Sequence, residues 1–151
     1  MGIDKDILQS KFLNEYQRTA INLIYTYGWM MERQKIIFAS EDITPQQFNI
    51  LRILRGSFPA PLSTLQIRER MLDKMSDTSR MVDRLVTKGL VQKTACKEDR
   101  RLVDVMITDN GKKVLENLDA REKDLDAILG NLSKEEAVLL SELLDKIRNH
   151  S

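Results

Sequence analysis

The chain has little of what metal centres, disulfide frameworks and membrane spans require. It contains one cysteine, Cys96, and one histidine, His150. A lone cysteine cannot form an internal disulfide, and these two side chains cannot assemble a zinc site. No run of eighteen apolar residues occurs, and the amino terminus alternates charges where a signal peptide has an apolar core. The sequence therefore predicts a cytoplasmic protein without a metal ion or cofactor.

Catalytic and nucleotide-binding motifs are missing as well. The chain has no glycine-rich phosphate loop and no HExxH pair, and its one histidine, close to the carboxyl end, leaves no nucleophile with a base beside it. What is present is 42% apolar and 31% charged residues, which is the composition of a globular domain of ordinary size. We therefore expect a binding or regulatory domain and not an enzyme.

Positive charge is concentrated in the middle third of the chain, although the net charge is only +1. Residues 62–113 carry 12 basic and 8 acidic side chains, a net charge of +4, while the remainder carries 12 and 15, a net charge of −3. A basic segment of this kind favours an anionic partner, and a solvated surface is the alternative interpretation.

Apolar periodicity and capping signals predict six helices. From Lys5 to about Ala39, apolar side chains recur at steps of three, four and seven, which predicts one long first helix. Its middle, residues 23–31, is apolar almost all round, so we expect a second subunit to cover part of it. The other five helices are predicted to begin at Thr44, Leu65, Ser76, Thr108 and Ser133. The first four of these five end before Gly56, near Asp73, at Gly89 and at about Leu129, and the last one has Ile147 on its apolar side.

Two β-prone runs follow the fourth predicted helix. They extend from Leu90 to Ala95 and from Leu102 to Ile107, and the six residues between them form the tip of a hairpin. Three helices followed by a hairpin are typical of a winged helix-turn-helix. The sequence therefore predicts a mainly α fold with a small β-hairpin wing.

This order of elements predicts DNA binding, with the fourth helix in the major groove and the wing beside it. Serine, threonine and arginine side chains can reach base edges and phosphates there, and arginine on a hairpin can enter the minor groove. The role of Asp83 stays open, because a carboxylate on this helix repels phosphate unless it pairs with an arginine or accepts from a cytosine amine. The predicted contacts are Ser76, Thr78, Ser79, Arg80, Arg84, Lys88, Arg100 and Arg101.

Three segments resemble the multiple-antibiotic-resistance regulator (MarR) family: Ser76 to Val91, Asp99-Arg100-Arg101, and Ile107 to Gly111. The resemblance implies one MarR-like domain over 1–151, with dimerisation helices at 1–40 and 112–151 and a winged helix-turn-helix DNA-binding lobe at 44–111. It implies a homodimeric transcriptional regulator, expected to be a repressor, on a palindromic operator. By the same resemblance, Arg101 is the wing arginine that enters the minor groove, and Asp99 is its supporting carboxylate.

The resemblance also implies a small aromatic or phenolic effector, for which Tyr25, Trp29, Met30 and Phe48 are the candidate pocket residues. The alternative is that these side chains form core or dimer interface. For the single cysteine, a redox role and an ordinary thiol both remain open. A winged-helix module that binds protein is the alternative to a DNA-binding regulator, and the steep salt dependence of DNA binding separates the two.

Overall fold

The computed structural model describes residues 2–96, 98–99 and 103–149. Within them the chain forms eight α-helices, three short strands and one turn of 3₁₀-helix. None of these helices combines the length and the apolar character needed to cross a membrane. The order of elements is α1 (Ile3–Asp6), α2 (Glu15–Ala39), α3 (Pro45–Ser57), β1 (Leu62–Ser63), α4 (Thr64–Arg70), α5 (Thr78–Thr87), β2 (Val91–Ala95), β3 (Val103–Ile107), α6 (Asp109–Asp119), α7 (Glu122–Asp126), the 3₁₀ turn (Ala127–Leu129) and α8 (Lys134–Arg148).

The predicted first helix is wrong over residues 7–14. α1 ends at Asp6, and Leu8 adopts a left-handed backbone conformation with φ of 55°. A new helix starts after Asn14, whose side chain accepts a hydrogen bond of 2.9 Å from the backbone N–H of Gln17. The Gln17 side chain in turn accepts one of 2.7 Å from the backbone N–H of Leu13. These two bonds satisfy the backbone N–H groups of Gln17 and Leu13 at the end of the helix, so the helix begins directly after Asn14.

The predicted fifth helix is also interrupted, and these two breaks give eight helices instead of six. α6 ends at Asp119, and Arg121 has non-helical angles (φ −103°, ψ 19°) before α7. The Arg121 side chain donates to the carbonyl of Ile37 at 3.3 Å and to Asp124 at 3.0 Å. The break therefore ties the carboxyl-terminal helices to the end of α2.

Most predicted helix boundaries are confirmed. Thr44 with Gln47, and Ser133 with Glu136, form complete capping boxes at the starts of α3 and α8. Thr108 caps α6, while the Gly89 that follows α5 has a φ of 74°, a conformation that glycine adopts without strain. A third capping box, Ser63 with Gln66 at the start of α4, was not predicted.

The hairpin predicted from the sequence is part of a three-stranded antiparallel sheet in the order β1-β3-β2. β2 and β3 pair in the register Val91↔Ile107, Lys93↔Val105 and Ala95↔Val103. The edge strand β1 adds only Leu62 and Ser63, which is too short to produce a periodic signal in the sequence.

Among the described residues, one core joins the end of α2, the helices α3, α4, α5 and α6, and the sheet. Its aliphatic side chains are removed from water, and each buried residue of this kind contributes about 1.5–3 kcal/mol to stability. This packing holds one side of α5 inward and leaves the other side at the surface. The largest fully buried residues are Ile50, Leu51, Leu54, Ile67, Val82, Leu85, Val105, Leu115 and Leu118.

α2 and α8 keep large apolar side chains at the protomer surface. α8 has no buried residue at all, and Leu143 and Ile147 are 48% and 56% exposed. On α2, Ile24 and Ile36 are both 73% exposed. Extended apolar faces of this kind on a globular chain typically mark contact surfaces.

Candidate nucleic-acid interface

α4 and α5 form a helix-turn-helix unit whose second helix starts one residue later than predicted. Asp77, and not Ser76, caps α5, since its carboxylate accepts a hydrogen bond of 3.2 Å from the backbone N–H of Arg80. Ser76 is half-buried in the preceding turn, where its backbone N–H donates to the carbonyl of Asp73. The cap places a negative charge at the positive end of the helix, which stabilises the start of α5.

α5 has one buried side and one exposed side. Thr78, Val82 and Leu85, at steps of four and three, are at most 3% exposed and hold the helix against the core. Ser79, Arg80 and Arg84 are exposed on the outer surface, as predicted for residues that meet DNA. Among the described residues, neither arginine side chain is engaged in an ion pair, so both guanidinium groups are available to a phosphate or a base.

The position of Thr78 differs from the one that its predicted contact with DNA requires. Its side chain is 3% exposed and belongs to the inner side of α5, so it does not reach the surface that the arginines share. Its hydroxyl has no hydrogen-bond partner among the described residues. Thr78 therefore fills space in the core and does not share the exposed side of α5 with Arg80 and Arg84.

Lys88 lies at the carboxyl end of α5 and extends toward the turn between α2 and α3. Its ammonium nitrogen lies 3.7 Å from the carboxylate of Asp42, donates to the Asp42 carbonyl, and lies 3.5 Å from the side-chain oxygen of Gln47. Lys88 therefore ties the end of the helix to the first turn of α3.

The tip of the wing is described only in part. Arg100 and Arg101, predicted to enter the minor groove, lie outside the described residues. Asp99, predicted to support Arg101, is half-buried, and the neighbouring Glu98 is exposed. Cys96, at the end of β2, is a free, half-buried thiol.

An ion pair joins the outer side of α5 to the wing. The Asp83 carboxylate lies 2.7 Å from the ammonium of Lys93 on β2. The sequence did not single out Lys93, because a lysine on a short strand is usually a solvated residue. The pair neutralises a carboxylate that stands one residue before Arg84.

Comparisons with known proteins identify this arrangement. The family model described as MarR family matches residues 43–103, which contain α3 to β2. The chain is 32% identical over 108 residues to the HTH-type transcriptional repressor MdtR of Bacillus subtilis, covering 71% of this chain and 68% of that protein. The chain belongs to the MarR family. It is therefore a DNA-binding transcriptional regulator with a winged helix-turn-helix.

Solved MarR structures agree over nearly the whole chain. A mutant of MarR from E. coli in complex with operator DNA superposes with a TM-score of 0.82 at 25% identity, covering 93% of this chain and all of that one. A MarR transcription factor from Planctomyces limnophilus is 34% identical, with a TM-score of 0.67 and coverage of 89% and 98%. The MarR fold thus extends beyond the matched lobe to the helices at both ends.

A cavity of about 380 Å³ lies where α2 meets the MarR-type helix-turn-helix lobe. Of the four predicted pocket residues only Phe48 lines it, stacked on Phe38 with ring centroids 4.4 Å apart. Tyr25, Trp29 and Met30 do not line it. Trp29 instead lies under the guanidinium of Arg33, 3.7 Å from the ring centroid. The α2 side chains that do line the cavity are Tyr27, Met31, Gln34 and Phe38.

The spacing of these α2 residues explains why Tyr25 and Trp29 do not line the cavity. Tyr27, Met31, Gln34 and Phe38 follow steps of four, three and four, which keep them on one side of the helix. Two residues correspond to about 200° around a helix, so Tyr25 and Trp29 point away from Tyr27. The aromatic composition of the segment indicated a site, but only the helical phase could have selected its residues.

Proposed function

We propose that this regulator represses transcription as a homodimer that binds an inverted-repeat operator. The observation that supports the proposal is the division of α5, whose inner side is anchored in the core while Ser79, Arg80 and Arg84 are exposed together. A helix presented in this way fits the major groove, and arginine can bond guanine edges or phosphates. Two such helices in one dimer would meet half-sites about one helical turn apart.

The wing completes the proposed contact. Arg100 and Arg101 are proposed to enter the adjacent minor groove, where negative potential is greatest at narrow steps, with Asp99 supporting Arg101. Lys88 is proposed to act on DNA only indirectly, since its ammonium group is bonded to Asp42 and Gln47. Ser76 stays a candidate contact from the turn before α5.

Residues 1–40 and 112–151 are proposed to form the dimer, and residues 44–111 the DNA-binding lobe. The support is the apolar surface of α2 and α8, where no described residue of α8 is buried within the protomer. Burial of these faces against a second copy would remove apolar area from water, which is the main favourable term in stable association.

Selection on DNA tests this function. Purified protein is incubated with a library of random duplexes at low and at moderate salt, and the retained DNA is sequenced. The proposal predicts an enriched inverted repeat whose retention falls steeply with salt, because several phosphate contacts release counterions. Binding that selects no sequence at either salt concentration would favour the alternative, a winged-helix module that recognises protein.

We further propose that the cavity between α2 and α3 takes a small aromatic or phenolic effector that releases the operator. The cavity is lined by three aromatic side chains, Tyr27, Phe38 and Phe48, and by the cationic side chains of Arg52 and Lys74. A panel of phenols and aromatic acids is screened by thermal unfolding, where a ligand at 100 times its Kd adds about 2.7 kcal/mol of stability. Met31→Trp, which fills the cavity, should abolish that gain and leave operator binding intact, and a gain that survives would place the ligand elsewhere.

A further inference from the structure

Asp83 occupies an unfavourable position for a residue of a DNA-binding helix. It is on the outer side of α5, between Arg80 and Arg84, and its side chain is 62% exposed. A carboxylate there would repel DNA phosphates and would reduce the positive potential that the neighbouring arginines create. Its Oδ1 atom lies 2.7 Å from Lys93 Nζ, so the charge is met by a cation from the wing and not by one from α5 itself.

Lys93 reaches Asp83 from the helix-facing side of the sheet. It pairs across the strands with Val105, which is fully buried, and it follows the buried Val91 by two residues. Directly opposed residues of an antiparallel pair, and alternate residues of one strand, share a face. The stem of Lys93 therefore starts from the core side, and its ammonium group emerges at the edge of the core beside α5.

In the part of the chain that the structure describes, this is the ion pair that joins α5 to a wing strand. The two elements meet DNA in different grooves in the proposed complex, so their relative placement decides whether both can engage at once. The core fixes the buried side of each element. The Asp83 to Lys93 contact fixes their outer edges, which are the sides nearest to DNA.

We propose that Asp83 is a positioning residue. Through Lys93 it holds the wing at the distance from the recognition helix α5 at which both elements can contact DNA. The inference rests on the proposed function, because it requires α5 and the wing to bind one DNA duplex together. It assigns specificity to the pair, since a misplaced wing loses contacts on the operator that non-specific DNA does not offer. It also accounts for a carboxylate on the DNA-facing side of the helix.

The test is the ratio of the affinity for the selected operator to the affinity for non-specific duplex, measured for the wild-type protein and four variants. Asp83→Asn and Lys93→Met each remove one charge and keep much of the side-chain volume, the double variant removes both, and Asp83→Glu keeps the carboxylate as a control. An ion pair between partly exposed side chains accounts for about a two- to fivefold effect, so we expect each single variant to lower the ratio by about that factor. Asp83→Glu should stay close to wild type.

The double variant separates positioning from direct contact. If Asp83 acts through Lys93, adding Asp83→Asn to Lys93→Met lowers the ratio no further, because the pair is already broken. An undiminished loss in the Lys93→Met background would overturn the proposal and indicate that Asp83 touches a base itself. Equal tightening on both DNAs by Asp83→Asn would also overturn it, since the carboxylate would then be only a repulsive charge. Wild-type protein that selects no sequence would refute the proposed function and this inference with it.

Discussion

Gly111 lies where a side chain has no room. A Cβ atom placed there would overlap the carbonyl oxygen of Leu90 and lie 2.7 Å from Cγ1 of Ile107. The Leu90 carbonyl also accepts the backbone N–H of Thr108 at 3.0 Å, so it cannot move away freely. Glycine is therefore required at position 111, where the first turn of α6 packs against Leu90. This residue belongs to the Ile107 to Gly111 segment, which carries part of the family resemblance.

Gly111→Ala is predicted to lower the free energy of unfolding by about 1–3 kcal/mol, the usual cost of forcing an extra carbon into a packed site. Denaturant unfolding measures the change. Gly56→Ala is the matched control, because nothing lies within 4 Å of the Cβ it adds in α3, and alanine is favoured over glycine in a helix by up to about 1 kcal/mol. Equal stability of the Gly111→Ala protein and wild type would show that the backbone at Leu90 moves to accommodate the added methyl group.

Thr78 distinguishes a core residue from a DNA contact. Its hydroxyl is buried without a partner among the described residues, and an unpaired buried hydroxyl costs stability. Thr78→Val replaces that hydroxyl by a methyl group of similar size. We expect stability to be unchanged or higher by about 1 kcal/mol, with operator affinity unaltered. Weakened operator binding by a stable Thr78→Val protein would restore the original sequence prediction that this residue touches DNA.

At the scale of elements, the sequence predicted helix starts better than helix continuity. Thr44, Thr108 and Ser133 carry their caps in side chains that are visible in the sequence, and each is confirmed. The break before Asn14 was missed because the apolar period continues across it, although the capping bonds around Asn14 and Gln17 are local. Periodicity says which side of a helix is apolar, but it does not say whether the backbone is continuous.

For the candidate site as well, local features could be predicted from the sequence, whereas contacts between elements could not. The helical phase of residues 78–85 placed Arg80 outward with Arg84 beside it. The same phase put Thr78 on the apolar side with Val82 and Leu85, so naming Thr78 as a DNA contact went against the phase. Lys93 and the existence of the cavity could not be predicted from the sequence alone, although the helical phase groups the α2 side chains that line it. Both of these features depend on which elements lie next to each other in space, and a single sequence does not contain that information.

Replacing an arginine of the wing and replacing one of α5 should have different effects on operator binding. Arg101→Ala should weaken operator binding by about 1–3 kcal/mol, and Arg80→Ala should relax the preference at one base position of each half-site. Arg148→Ala, on α8 and far along the chain from the lobe, removes the same charge as a control. Fluorescence anisotropy with operator variants measures each change. Operator binding by a folded Arg101→Ala protein at wild-type strength would remove the wing from the interface.

At the scale of the whole molecule, the apolar faces of α2 and α8 are the features that one protomer leaves uncovered. Leu143→Glu with Ile147→Glu places two charges on the exposed stripe of α8 without entering the protomer core. We expect monomers in sedimentation equilibrium, since burying unpaired carboxylates in an interface is costly. Ser141→Glu, about 200° away from Leu143 around the helix, is the control and should leave the dimer intact. An unchanged dimer in the double variant would refute this interface.

We propose that the two α5 helices of one dimer read two half-sites on the same side of DNA. The direct measurement compares the affinity for the selected inverted repeat with the affinity for the same DNA carrying five extra base pairs between the half-sites. The insertion rotates one half-site by about half a helical turn relative to the other, so the two face opposite sides of the duplex. We expect the affinity for the lengthened DNA to fall toward the non-specific level. Equal affinity for the two DNAs would contradict it.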